Sequence, residues 1–127
     1  MYLLTNTVAR ILFALPFLGF GIGHLMNASM MAGYVPLPGG IIWIYITGVA
    51  MALAAIAAIT KFQGKTAMLL LALLLLIYIV TIHIPNLMKP DTMQMGMMGL
   101  YKDTGLMAGA LLLAGMFDKE HKTVTTA

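Results

Sequence analysis

The chain has 127 residues, of which 61% are hydrophobic and only 9% charged, with seven Lys and Arg against four Asp and Glu. Soluble domains carry about 25% charged residues, and so few charges cannot cover the water-facing surface of a chain this long. This excludes a soluble globular enzyme, a disordered chain and a nucleic-acid binder, because the scattered cations form no phosphate-binding stripe, and the absence of cysteine removes thiol nucleophiles, disulfide exchange, iron–sulfur clusters and Cys-ligated zinc.

What remains is an integral membrane protein with a mean hydropathy of +0.98. A spanning helix needs about 20 mostly apolar residues, and four stretches qualify. The first covers about 7–26, with Asn6 as a candidate N-cap. No basic residue precedes its apolar run and no small-residue cleavage site lies near residue 25, so it reads as a retained helix rather than a signal peptide. Gly19 and Gly23 share one face of it, and Pro16 removes a backbone hydrogen bond and predicts a kink.

The second stretch, about 41–60, carries Ala50, Ala54 and Ala58 at helical spacing. Small residues so spaced let helix backbones approach closely in lipid. Residues 61–65 form a tight turn. The third stretch, about 66–84, ends before Pro85 and has no polar face from Met68 to Leu76, which predicts long exposure to lipid. The fourth ends at Phe117 and starts between Thr92 and Lys102. Asp91 followed by Gln94 resembles a capping box and favours the early start, whereas Gly96 and Gly99 predict a loose first turn. Gly105 with Gly109, and Ala110 with Ala114, mark its small-residue faces, and 118–127 reads as a short tail. An open sheet is not tolerated in lipid. The expected fold is therefore all-α: one membrane domain over 1–127, a four-transmembrane-helix bundle.

With four spans, both termini lie on the side of the 61–65 turn. That side carries Arg10, Lys61, Lys65, Lys119 and Lys122, against Lys89 and Lys102 opposite. The positive-inside rule predicts cytoplasmic termini in a bacterial-type inner membrane, with Trp43, Tyr45 and Tyr34 in the outer aromatic belt.

Ionisable residues within a span are costly and mark functional sites by default. His24, His83, Lys102 and Asp103 come from three helices to one outer level, with Asn27 and Asn86 three residues after each histidine, and Tyr78 and Thr81 one turn deeper. Lys102 shares a face with Gly105 and Gly109 and is expected to point into the bundle; Asp103 is rotated from it by about 100°. One reading is a polar pocket under an apolar lid, able to move protons or bind a quinone carbonyl. The plainer one has Lys102 snorkelling or paired with Asp103, and both histidines in interfacial water. Arg10, about 21 Å below His24 on nearly the same face, reads as an interface anchor, and Phe13, Phe17 and Phe20 between them as ordinary packing.

These residues resemble the DoxX family of small four-helix membrane proteins. The likeness covers about residues 8–117 and rests on Arg10-Ile11-Leu12-Phe13, Phe17-Leu18-Gly19-Phe20-Gly21-Ile22-Gly23-His24-Leu25, His83-Ile84-Pro85-Asn86-Leu87 and Lys102-Asp103-Thr104-Gly105-Leu106-Met107-Ala108-Gly109-Ala110. Each motif is degenerate; their order and spacing carry the specificity. The resemblance implies an accessory subunit of a membrane redox system, with quinone as the candidate cofactor. It marks Arg10, His24, His83, Asn86, Lys102 and Asp103 as family-typical polar positions. Relatives that use Cys pairs are a poor guide to a chain without cysteine.

Methionine adds a further expectation. Eight of the 13 fall on the outer side: Met26, Met30, Met31, Met88, Met93, Met95, Met97 and Met98. Thioethers and imidazoles suit Cu(I), so Met93, Met95, Met97 and Met98 in an outer loop are candidate ligands; the bland alternative is an adaptable apolar surface. Two histidines at similar depth could also clamp a haem, although nothing else selects one. The leading expectation is a DoxX-like redox accessory subunit. The alternatives are a non-enzymatic scaffold or assembly factor, and Met/His-based copper handling. Expected partners are membrane lipid and either another membrane protein or further copies of this chain.

Overall fold

The computed structural model describes residues 1–126, which are helical with short connections and no strand. Helix α1 spans Leu3–Met26 and α2 is a single turn, Ala28–Met31. Helix α3 spans Gly40–Thr60, α4 Gly64–Leu87 and α5 Met93–Thr126. Helices α1, α3 and α4 are long and apolar enough to cross a membrane, which suggests a membrane protein.

Helix α1 packs along α3, α3 along α4, and α4 along α5. One core joins all four long helices: Ala14 and Phe17 of α1, Met51, Ala54, Ala55 and Ala58 of α3, Met68, Leu71 and Leu75 of α4, and Ala110, Ala114 and Phe117 of α5. Alanine dominates on α3 because small side chains let the neighbouring backbones close in.

Several sequence expectations shift. The tightest α1–α3 approach is at Gly21 and Gly48, where an added Cβ on Gly21 would stand 2.7 Å from the Gly48 carbonyl oxygen. Gly19 and Gly23 instead face open space. Ala54 and Ala58 are buried as the stripe predicts, but Ala50 is exposed and Met51 takes its place. Helix α1 begins before Asn6, which is therefore no cap, and Pro16 lies within it.

Helix α4 continues past Pro85. Its residues Ile79–His83 adopt π geometry, after which an α turn restarts at Ile84 with Pro85 in the first positions. A proline there lacks an N–H that the restarted turn does not need. Helix α5 takes the early start, at Met93, and does not stop at Phe117: the supposed tail is helical to Thr126. The Lys65–Asp118–Lys122 ion pairs, one of them at i,i+4, hold this extension. Gly96 and Gly99 do not loosen the first turn of α5. They are where it crosses α4: a Cβ at Gly96 would meet the His83 carbonyl, and one at Gly99 would overlap the His83 ring.

Candidate functional site

Polar side chains gather at the two ends of the bundle. At the end holding His24 and His83, the arrangement starts from Pro85. The π segment beside it turns His83 toward α5, and Gly99 leaves room for the imidazole to lie against the α5 backbone. A π-bulge is a common device at functional sites.

The partner of His83 is Asp103. It is only 3% exposed, and its Oδ2 lies 2.6 Å from His83 Nε2. With the carboxylate ionised, Nε2 is the donor of this bond and Oδ2 the acceptor. Charge-assisted bonds of this kind are about twice as strong as neutral ones. Lys102 Nζ stands 3.4 Å from Asp103 Oδ1 and 5.1 Å from the centre of the Phe20 ring, a cation–π distance.

The expected orientation of these two neighbours is reversed. Lys102 is on the exposed side, its side chain 53% accessible, and Asp103 is the one inside. The rotation of α5 is set by a seven-residue repeat facing α4, Gly96–Asp103–Ala110–Phe117 interleaved with Gly99–Leu106–Leu113, all buried or half-buried. The Gly105–Gly109 stripe does not set it: Gly105 has nothing near it, and Gly109 receives the Phe13 ring.

A partly open cavity of about 90 Å³ adjoins Asp103. Phe17, Phe20 and Tyr78 wall it, Met51, Leu75 and Leu106 line its apolar side, and His24, Lys102 and Asp103 supply the polar groups. It is the size of about three waters at ~30 Å³ each. His24 Nδ1 donates to its own helix, to Phe20 O at 2.7 Å, and the ring borders the cavity. Helices α1, α4 and α5 thus bring His24, His83, Lys102 and Asp103 together. Asn86 is not part of this group: only its main-chain oxygen is engaged, accepting from Thr92 Oγ1. Asn27 bonds Gly23 O and Thr81 bonds Ile77 O, each within its own helix.

The methionine cluster is helical rather than a loop. Met93, Met95, Met97 and Met98 are all exposed. At about 100° per residue Met93 and Met97 share a face, while Met95 points the other way, so the four thioethers do not converge on one ion. Among the described residues no group of three or more His, Asp and Glu stands close enough to hold a metal.

The opposite end holds a second network. Arg10 is 5% exposed, no surface anchor. Its guanidinium donates to Ala58 O at 2.8 Å, to Ile59 O at 2.7 Å and to Asn6 Oδ1 at 2.9 Å. The two carbonyls end α3 and lack helical partners, and a cation suits that negative helix terminus. Asn6, in a π turn, passes the connection on by donating to Glu120 Oε1 at 2.7 Å. Glu120 also accepts from Tyr2 and Lys61. Sequence reading missed Asn6 as the partner of Arg10 and Glu120 as the partner of Asn6. The signal for Glu120 was available: it extends the Gly99–Leu106–Leu113 register by one more step. Burial pushes its carboxyl up, but the hydrogen bonds from Asn6, Lys61 and Tyr2 outweigh this and hold it below the usual range. Asp118 is held at about 2 by hydrogen bonds from Lys122 and Lys65.

No family model, curated protein or solved structure matches this chain.

Proposed function

We propose that this chain is a DoxX-like accessory subunit of a quinone-linked membrane redox system, with His83 and Asp103 as its proton-handling pair. The observation that carries the reading is a carboxylate buried at 3% exposure, bordering an aromatic-walled cavity and bonded to an imidazole. An intramembrane ionisable pair is expensive, and proton relays are a common reason for keeping one. His83 is suited to that role, because a proton taken at Nδ1 releases the one on Nε2 toward Asp103.

The cavity fits the carbonyl edge of a quinone better than a whole ring and tail. A quinone supplies coupled electron and proton transfer when bound. The residues of this chain orient a carbonyl oxygen, through the Lys102 ammonium, and hold or move the proton at Asp103. Electrons come from the partner subunit of the complex.

In this reading α5 is a fourth span. Residues 93–117 measure about 37 Å at ~1.5 Å per residue, enough for a hydrocarbon core of about 30 Å. Lys102 then lifts its ammonium past Phe20 toward the interface. The termini are cytoplasmic in an inner membrane, on the cation-rich side.

The test is the assembled complex carrying Asp103→Asn or Lys102→Ala. Asp103→Asn keeps a hydrogen-bonding shape and cannot carry the proton. The expected result is loss of quinone-linked turnover with normal insertion and assembly; normal turnover in both variants refutes the proposal.

A non-enzymatic scaffold is the second reading, favoured by Gly19, Gly23, Gly105 and Gly115 lying on faces open to a partner helix. It predicts a stoichiometric partner in detergent pull-downs that Gly19→Leu or Gly105→Leu releases, with no quinone retained. Copper handling has weaker support, because the helix disperses the thioethers.

A further inference from the structure

The Arg10 end of the molecule also holds a cleft of about 560 Å³, between the 61–66 turn and the extension of α5 beyond Phe117. That volume lies in the range of small-molecule sites, about 300–1,000 Å³. Lys61, Lys65 and His121 bring basic groups to it, and Phe117 and Val124 give it an apolar wall. Its acidic neighbours are Asp118 and Glu120.

The turn that shapes the cleft is unusual. Lys61 and Gln63 have φ of 64° and 50°, the two left-handed non-glycine residues among those described. Such backbone is costly and is kept where surrounding structure or function requires it. Here it reverses the chain within three residues and leaves Lys61 and Lys65 on the lip of the same cleft. Gly64, between them, is buried against the Phe117 ring, where a Cβ would stand 2.7 Å from it, so the turn is seated on α5.

The lysines are not locked. Lys65 bonds Asp118 at 2.8 Å and Lys61 bonds Glu120 at 3.2 Å, but the lysine side chains are 54% and 39% exposed. Exposed ion pairs are worth about 0–1 kcal/mol, so an incoming anion can take these cations over. Glu120 has other donors in Tyr2 and Asn6, and Asp118 has Lys122; neither carboxylate is stranded when its lysine turns away.

We propose that this cleft binds a phosphate group, with Lys61 and Lys65 as its cationic ligands and Phe117 and Val124 against the apolar part of the molecule that bears it. The cleft lies where the apolar helices give way to charged chain, the level of lipid headgroups. Basic pockets between membrane helices are suited to anionic headgroups, each lysine contributing about 1 kcal/mol. The site is separate from the His83–Asp103 pair and does not depend on its role.

The experiment uses the full chain in nanodiscs of phosphatidylcholine with a minority of phosphatidylglycerol, with retained lipid read by native mass spectrometry. The wild type is expected to retain phosphatidylglycerol above its bulk share. The double variant K61Q/K65Q loses that enrichment, by about fivefold per lysine. D118N strengthens it, because Lys65 is freed. Both variants break the same turn-to-α5 ion pair, so a purely structural role moves them the same way and overturns the proposal. Equal retention of the two lipids, or an equal loss in K119Q outside the cleft, also overturns it. Displacement of retained phosphatidylglycerol by millimolar inorganic phosphate assigns the site to free phosphate, and resistance assigns it to the lipid headgroup; either supports a phosphate site.

Discussion

Arg10 is a cation buried to 5% exposure. Its burial is tolerable because three acceptors on two helices meet its planar fork of donors. Arg10→Ala leaves two α3 carbonyls and Asn6 Oδ1 without that donor, and should destabilise the fold by about 3 kcal/mol, read as a lower unfolding midpoint in detergent. Arg10→Lys should recover only part of this, since one ammonium cannot reproduce the fork; full recovery would show that charge alone matters. At the other end the asymmetry is sharper. His83→Leu strands a buried carboxylate with only the half-exposed Lys102, and removing one member of a buried pair costs about 3–5 kcal/mol. The double variant His83→Leu/Asp103→Leu should be close to wild type in stability, because paired burial is often no better than apolar packing. An additive loss in the double variant would show that the two residues are not energetically coupled.

At the scale of elements, the geometry of both polar networks depends on local departures from a regular helix. The π segment before Pro85 aims His83, and the π turn at Leu3–Val8 contains Asn6. Pro85→Ala restores a donor to the ladder, so the segment should relax to α geometry and rotate His83 away from Asp103. The checking measurement is the imidazole nitrogen resonance of His83, which should lose the signature of Nε2–H bonded to a carboxylate. This element was partly legible in the sequence. Pro85 announced an interruption, but whether a helix ends or re-registers at proline depends on the helix packed against it, and here α5 covers the joint. The rotation of α5 was legible too, in the seven-residue repeat from Gly96 to Glu120, yet the more conspicuous Gly105–Gly109 pair pointed toward Lys102 instead. The same register turned Glu120 inward and Asn6 lies four residues from Arg10, but the Asn6–Glu120 bond itself was not legible, because it joins residues over a hundred positions apart. The extension of α5 has its own pH dependence. Asp118 and Glu120 are both depressed in the folded state, from 3.8 and 4.5. Their stabilisation is present above those unfolded values and is lost as pH falls through the folded ones. Amide exchange at Thr123–Thr126 should therefore accelerate between about pH 4.5 and 2, beyond its intrinsic trend, and Asp118→Asn should remove part of that response.

At the scale of the whole molecule, the helices form two close pairs, α1 with α3 and α4 with α5, joined along α3 and α4, while the backbones of α1 and α5 stay apart over nearly all their length. Side chains bridge that seam at both ends: Lys102 over Phe20, and Asn6 to Glu120. Each bridge combines a span with a charge, so the arrangement of the molecule across the bilayer decides which water each network meets. The absence of cysteine makes this directly measurable, since a single introduced thiol reports its own side without background. Gln63 and Asp91 occupy exposed connections at opposite ends of α4. If the cation-rich end faces the cytoplasm, Gln63→Cys should resist a membrane-impermeant maleimide in intact cells and react after permeabilisation, whereas Asp91→Cys should react at once. A thiol at Thr123 settles the remaining element. If α5 spans, Thr123→Cys behaves like Gln63→Cys, and the Glu120 network lies on the same face as the 61–65 turn by topology as well as by contact. The α5 extension bonds Lys61 and Lys65 directly, so labelling of Thr123→Cys on the side of Asp91→Cys would break the proposed four-span arrangement and the packing of α5 together.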